Sequence, residues 1–206
     1  MIQMWDKTCL NLCFERAKLF MSNSNLAKAF LQLAYLYYEI KLIVNQRWWR
    51  WLTCWLGGGA GVIASYRFDR FFYLLIGENW ALLRVFFFPL FWLLRALSSS
   101  HEINYKADIG KGLKILHHSL GVVISGYAIV GEGLILTGGN CIGGRTSLKW
   151  GELVLGNGVL LGANAVILGP LRLGNNVKIG AGAVVVDSFP DNAVLIGVPA
   201  YSLANK

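Results

Sequence analysis

The chain has 206 residues, 55% of them hydrophobic and 15% charged, and its formal net charge is +8. This apolar content excludes an intrinsically disordered chain, and the length suits one large domain or two small ones. The excess of Lys and Arg favours an anionic partner, such as nucleic acid, a lipid surface or a phosphorylated small molecule.

The cysteines show no metal-binding pattern. Cys9 and Cys13 are one helical turn apart, but no second Cys or His pair accompanies them, so we expect no metal site. Reduced cysteines of a cytoplasmic protein are the simpler interpretation. The N-terminal residues MIQMWDKTCLNLCFERAK contain no uninterrupted apolar segment, so no signal peptide is predicted.

The composition changes abruptly near residues 98–100. Residues 1–100 hold 22 of the 27 aromatic residues and 5 of the 24 glycines, whereas residues 101–206 show the reverse bias. We therefore place a domain boundary at the triple serine, between an aromatic-rich helical region (1–100) and a second domain (101–206).

The first region is predicted to be helical. The long apolar run LAKAFLQLAYLYYEIKLIV (26–44) contains no helix breaker, and the glycines at 57–59 then interrupt the chain. A second helical segment is expected to begin near Tyr66.

The stretch VFFFPLFWLL (85–94) is too short to span a bilayer, which needs about 20 residues. It is either a packed helical hairpin or a helix lying in the membrane interface, where the cluster RWWRW (47–51) would sit at headgroup level. Such a cluster could also stack on nucleic acid, but no nucleic-acid motif accompanies it, so no such partner is expected.

The second region is a repeat of six residues. From Leu155 the sequence divides into LGNGVL, LGANAV, ILGPLR, LGNNVK, IGAGAV and VVDSFP, each opening on an aliphatic residue. The same period appears earlier, in aliphatic positions listed together as Ile103, Ile109, Ile115, Ile124, Val130, Leu136 and Ile142. This period predicts a parallel β-helix, in which three hexads close one triangular coil and coils stack on each other.

Two departures from the period predict where a site is built. Ile115 and Ile124 are nine residues apart, so extra chain is inserted where His117 and His118 lie. Ile142 and Leu155 are thirteen apart, so residues 143–154 are expected to leave the prism as a loop. Loops that extend from a rigid repeat commonly carry binding and catalytic residues.

The motifs HEINYKADIGKG, LHHSLGVVISG, LTGGNCIGG, LGANAVILG, IGAGAVVV and GVPA (197–200) resemble those of the serine acetyltransferase family, in its branch associated with exopolysaccharide biosynthesis. The resemblance covers about residues 101–200. It implies a left-handed β-helix, acetyl-CoA as co-substrate, no metal, a homotrimer, and an O-acetyltransferase that uses a histidine as general base.

The resemblance also suggests which residues are catalytic. The family's base lies two residues past a hexad-opening aliphatic, and counting from Ile115 selects His117, with Glu102 at the position of the acid that orients the base. Counting back from the downstream glycine, Gly121, selects His118 instead. His101 is expected to be the exposed start of the prism.

The resemblance implies that the donor side of the family's site is retained. The family binds acetyl-CoA through backbone groups of small residues, and those positions match Gly144, Ala163 and Ala181. Lys178 and Arg172 could neutralise phosphates of the donor.

The acceptor side departs from the family. The aspartate that precedes the family's base is replaced by Leu116, and the Arg-His pair that ends its loop is replaced around Trp150 and Glu152, with Arg145 earlier in the loop. A sugar hydroxyl is therefore the favoured acceptor, serine O-acetylation is the first alternative, and a non-catalytic scaffold is the second. We expect a cytoplasmic protein that can associate with the inner face of the membrane through residues 1–100.

Overall fold

The computed structural model describes residues 25–44, 49, 59–86 and 101–202. Within these residues three α-helices come first: α1 (Asn25–Val44), α2 (Gly59–Ile76) and α3 (Asn79–Phe86). α1 matches the helix predicted at 26–44, whereas α2 begins at Gly59, well before the predicted start near Tyr66, because its first turn contains helix-compatible Ala and Val residues after the glycine.

In residues 101–202 there follow fifteen short strands, together with a 3₁₀ helix at His118–Leu120. The strands are β1 (His101–Ile103), β2 (Asp108–Ile109), β3 (Lys114–Ile115), β4 (Val122–Ile124), β5 (Ala128–Val130), β6 (Ile135–Leu136), β7 (Asn140–Gly144), β8 (Leu153–Leu155), β9 (Leu160–Leu161), β10 (Val166–Gly169), β11 (Leu171–Leu173), β12 (Lys178–Ile179), β13 (Val184–Val185), β14 (Val194–Ile196) and β15 (Tyr201–Ser202).

The strands form the three faces of a prism. Face A consists of β1, β4, β7, β10 and β13, face B of β2, β5, β8 and β11, and face C of β3, β6, β9, β12, β14 and β15. Neighbouring strands are parallel except for β14 and β15, which pair antiparallel at the end. The predicted fold class is confirmed: a parallel β-solenoid of hexapeptide repeats, with about four turns, follows a helical region.

The hexad explains the core. The aliphatic residues that open each hexad from Leu155 to Val185 are all buried, as are the small or aliphatic residues at the fifth positions between Val159 and Ala183. In the first coil Ile103 and Ile115 are only half-buried, since no coil precedes them. The core is therefore one continuous column of aliphatic side chains.

Three corners connect the faces, and we name them by their contents. The asparagine corner joins faces B and C (110–113, 131–134, 156–159, 174–177 and 190–193), the histidine corner joins faces C and A (116–121, 137–139, 162–165 and 180–183), and the loop corner joins faces A and B (104–107, 125–127 and 145–152).

The predicted loop at 143–154 is shorter than expected. Gly143 and Gly144 still pair with β10 in face A, and Leu153 and Val154 already pair in face B, so only residues 145–152 leave the prism. Leu148 folds back and is 8% exposed, as part of the prism core.

The helices cap the open end of the first coil. Arg67 of α2 forms a buried ion pair with Glu39 of α1 at 2.6 Å and donates to the carbonyl oxygens of Ile109 and Gly110. Glu39 in turn accepts from the backbone N–H groups of Gly112 and Leu113. Strand and corner groups that would otherwise lie at an open end are thus satisfied by the helices.

Several expectations for residues 1–100 fall outside the described residues. The boundary at 98–100, most of the cluster at 47–51 and all but the first two residues of 85–94 belong to that part of the chain. Among the residues that the structure describes, no helix is both long enough and apolar enough to cross a bilayer.

Candidate active site

The histidine turn is an insertion in the first coil at the histidine corner. The backbone N–H of His117 donates to the carbonyl of Thr137 in the next coil (2.8 Å), and the His117 carbonyl accepts from Leu120 (3.3 Å). Gly121 ends the turn at φ +76°, a conformation that costs glycine little. The main chain is therefore held at both ends, and the His117 side chain is exposed rather than directed into the core.

The side chain of His118 lies outside what the structure describes, so only its place at the start of the 3₁₀ helix is defined. Gly138 approaches the turn from the next coil, where a Cβ would meet the carbonyl oxygen of His117. A side chain at position 138 would therefore push the turn outward.

A buried asparagine braces this corner. Asn140 is 1% exposed; its Oδ1 accepts from the N–H of Gly138, and its Nδ2 donates to the carbonyls of Gly162 (2.7 Å) and Ala165. Sequence reasoning missed it, although a signal exists. Asn140 occupies the fifth position of its hexad, where other hexads have Val, Leu or Ala, so a polar residue there must find partners inside the prism.

Glu102 lies on the outer surface of face A. It is exposed, and its backbone is opposite Val123 of β4, the strand that begins directly after the histidine turn. Glu102 and His117 therefore share the outside of the first coil. Above Glu102 the outer surface of face A continues as a column of half-buried or exposed residues: Val123, Cys141, Val166 and Val184. Burial raises the pKa of the Cys141 thiol, so this cysteine is a packing residue and not a reactive thiolate.

The structure brings two of the three predicted donor positions together. Ala163 and Ala181 stack in successive coils of the histidine corner, where the N–H of Gly182 donates to the Ala163 carbonyl (2.8 Å). A Cβ on Gly162 would be 2.5 Å from the backbone nitrogen of Ala181, so the coils approach closely here. The corner thus presents backbone groups with little side-chain cover.

Gly144 lies at the opposite edge of face A, beside the loop corner. A Cβ at this position would be 2.6 Å from the Leu148 side chain, so the glycine is needed for the loop to fold back. His101 also differs from expectation: it is half-buried rather than exposed, and both ring nitrogens are buried.

A cavity of ≈ 630 Å³ opens at the loop corner, between the end of α2 and face A. Its helix side includes Arg70, Tyr73 and Glu78, and its prism side includes Glu102, Tyr127 and Trp150. We call it the aromatic cavity. Sequence reasoning did not find it, because it depends on how α2 packs against the first two coils. In the described part of the chain, no group of three His, Cys, Asp or Glu residues could hold a metal ion.

Comparison with known proteins agrees with this architecture. Residues 153–187 match the family described as bacterial transferase hexapeptide (six repeats). No curated protein matches the chain.

The solved structures that resemble the chain include a serine acetyltransferase from Neisseria gonorrhoeae (TM-score 0.66, 26% identity, covering 84% of this chain and 66% of that one). The same enzyme in complex with serine gives a TM-score of 0.61 at 27% identity, with coverage of 91% and 72%. A serine acetyltransferase in complex with CoA gives 0.55 at 27% identity, with coverage of 71% and 57%.

The chain spans 66% of the length of the first of these enzymes. Residues 153–187 thus carry the bacterial transferase hexapeptide repeat, and the chain is similar in structure to serine acetyltransferases.

Proposed function

We propose that the protein is an acetyl-CoA-dependent O-acetyltransferase. The observation that carries this proposal is the histidine corner, where an inserted turn with an exposed His117 shares one edge of the prism with the stacked Ala163 and Ala181. A structurally similar serine acetyltransferase is known in complex with CoA, which supports a thioester donor for this fold.

His117 acts as the general base, with His118 as the second candidate. The imidazole takes the proton of an acceptor hydroxyl while the oxygen attacks the thioester carbonyl, and it returns that proton to the departing thiolate. Histidine suits this role because its pKa lies near neutrality. Glu102, on the same side of the first coil, orients the imidazole and stabilises its charge.

Ala163 and Ala181 form the donor side, where exposed backbone groups of successive coils contact the acetyl-CoA chain. Gly144 contributes from the other edge of face A. Arg172 and Lys178 are on the outer surfaces of faces B and C, where Arg172 donates to the Gly151 carbonyl, so Lys178 is the better candidate for a phosphate contact.

The acceptor is a sugar hydroxyl, of the kind modified in polysaccharide synthesis. Leu116 before the histidines and Trp150 in the loop give little to hold a small zwitterion. The alternative, serine O-acetylation, has its own support, since a similar Neisseria gonorrhoeae enzyme is known in complex with serine.

The experiment that separates these functions is thiol release from acetyl-CoA across acceptors: L-serine, nucleotide sugars and lipid-linked sugars. Release that depends on a sugar supports the proposal, and release that depends only on serine selects the alternative. If none of the acceptors in the panel produces thiol release, a non-catalytic scaffold is the better description.

The assembly is a homotrimer in this proposal, and the first hundred residues hold it at the cytoplasmic surface of the membrane. Light scattering of the full-length protein tests the first statement. Sedimentation with anionic lipid vesicles tests the second, and a chain that stays in the supernatant would contradict it.

A further inference from the structure

We infer that the aromatic cavity is the acceptor site and that it binds the ring of a neutral sugar, with Trp150 and Tyr127 as residues that determine specificity. The inference rests on the proposed function for the chemistry that follows binding. At ≈ 630 Å³ the cavity is within the size range of small-molecule sites, about 300–1,000 Å³.

The aromatic lining is the first reason. Residues 101–206 contain five aromatic residues, and two of them face this cavity. Trp150 is 54% exposed and Tyr127 is 49% exposed, and neither ring pairs with another aromatic ring among the described residues. Their faces carry negative π density, which suits the polarised C–H groups on one side of a pyranose ring.

The charges of the cavity are the second reason. Lys106 is bonded to Glu78 at 2.7 Å, and Arg70 is bonded to Asp108 at 3.2 Å and to the carbonyls of Tyr105 and Lys106. The hydrogen bond from Lys106 lowers the pKa of Glu78, so the pair stays charged at neutral pH. Both cations of the lining thus have carboxylate partners. A zwitterion such as serine would need one of them for its own carboxylate, whereas a neutral polyol would not.

The place of the cavity is the third reason. Glu102 lines it and is also the residue proposed to orient the base. Val123, which is 43% exposed and opposite Glu102, continues the lining toward the histidine turn. A ring stacked on Trp150 or Tyr127 lies at the loop-corner edge of face A, so an acceptor held there must extend across the outer surface of this face to reach His117 at the histidine corner.

Binding without the donor tests the inference separately from catalysis. Saturation-transfer NMR would measure the binding of the methyl glycosides of glucose, galactose, mannose and N-acetylglucosamine. L-Serine would be measured in the same way, as the alternative class of ligand. We expect at least one glycoside to bind. Trp150→Ala and Tyr127→Ala should each weaken that binding about tenfold, and Trp150→Phe should retain most of it.

Tyr37→Ala is the matched control, since Tyr37 is 51% exposed on α1 and is not part of the cavity. It should leave glycoside binding unchanged. Thermal melting checks that each variant is folded, and Tyr127→Ala carries the test if Trp150→Ala is not. Binding of serine alone, binding of no glycoside, or equal affinities in wild type and both aromatic variants would overturn the inference.

Steady-state kinetics then separates this inference from the proposed function. With a sugar acceptor, Trp150→Ala should raise the KM for the sugar and leave the KM for acetyl-CoA unchanged. If both aromatic variants transfer acetyl to the sugar with an unchanged acceptor KM, the aromatic cavity is not the acceptor site, but the proposed O-acetyltransferase function stands. If the two aromatic variants lose glycoside binding but the wild-type protein releases no thiol, the aromatic cavity is a sugar site and the proposed O-acetyltransferase function is wrong.

Discussion

The asparagine corner and the histidine corner are built by the same hexapeptide but differ in regularity. At the asparagine corner, each coil closes in the same way. Asn157 accepts from the N–H of Glu132 and donates its own N–H to Asn175, whose N–H in turn donates to Asp191. Side-chain oxygens and backbone N–H groups thus form a ladder along the prism.

The histidine corner has no such ladder. Its first coil contains the long turn 116–121, its second coil contains Gly138 and Gly139, and its third and fourth coils contain Ala163 and Ala181. One buried residue, Asn140, satisfies the backbone of this corner from the inside. In the third and fourth coils the outer surface consists of small residues and one polar side chain, the exposed Asn164, so backbone groups stay accessible to a donor with a long flexible arm.

The largest expected difference between the corners is in activity. His117→Ala should reduce the rate of acetyl transfer by about 10²–10⁴-fold, because the hydroxyl proton loses its acceptor. Asn157→Ala, at the other corner, should leave the rate unchanged. Thiol release under saturating acetyl-CoA measures both.

His118→Ala is the control that identifies the base. If it abolishes transfer and His117→Ala does not, the base lies one residue further along the turn. If both variants are active, neither histidine is the base, and the histidine corner loses its distinction from the asparagine corner.

The second difference is in stability. Asn140→Leu removes the acceptor of the Gly138 N–H and the donor to Gly162 and Ala165, all at a buried position. Since an unsatisfied buried group costs about 1–3 kcal/mol, we expect the free energy of unfolding to fall by about 3 kcal/mol. Urea unfolding would measure it.

The matched variant is again Asn157→Ala, which removes an exposed bond to Glu132 and should cost about 1 kcal/mol or less. Equal losses in the two variants would show that the ladder and the buried brace contribute alike. Asn140→Leu should also raise the KM for acetyl-CoA, since it would move the corner that contacts the donor.

How far the sequence predicts this molecule depends on the range of the interactions involved. Apart from the half-buried Ile115, the hexad period predicted which opening aliphatic residues are buried from Ile109 to Val185, because each one contacts only its neighbouring coils. The inserted turn at His117 was predicted for the same reason. The period does not indicate which histidine is the base, because the inserted residues lie outside the six-residue register.

The rest depends on contacts between parts of the chain that are distant in sequence. Arg67 contacts the first coil by donating hydrogen bonds to the carbonyl oxygens of Ile109 and Gly110, which are more than forty positions away in the sequence. The aromatic cavity combines Arg70 with Trp150, and Leu148 returns to the core from within a loop. No local pattern encodes these contacts, so the predicted loop was too long and the cavity was missed.

A third prediction concerns a property that the corners share. Asn164 in the histidine corner and Asn176 in the asparagine corner have φ values of 57° and 55°. Replacing either by Ala should cost about 1 kcal/mol, since a Cβ without a compensating polar group disfavours this left-handed conformation, and Gly should restore most of it. Unequal costs in urea unfolding would mean that side-chain contacts, and not the backbone conformation that the two residues share, distinguish the corners.

The smallest expected effect is a pH dependence confined to the asparagine corner. Hydrogen bonds from the Asn175 side chain and backbone lower the pKa of Asp191. A carboxyl with a lowered pKa in the folded state stabilises the fold above its unfolded pKa and loses that contribution as pH falls through the folded value. Melting temperature should therefore fall slightly on acidification below the ordinary aspartate pKa, and Asp191→Asn should remove that part of the change. Because Asp191 is fully exposed, screening keeps the effect small.

The control is the same acid titration of Asn140→Leu. This variant should retain the fall in melting temperature that is due to Asp191, since the buried brace of the histidine corner contains no titratable group. Loss of that fall in Asn140→Leu would mean that the two corners are coupled.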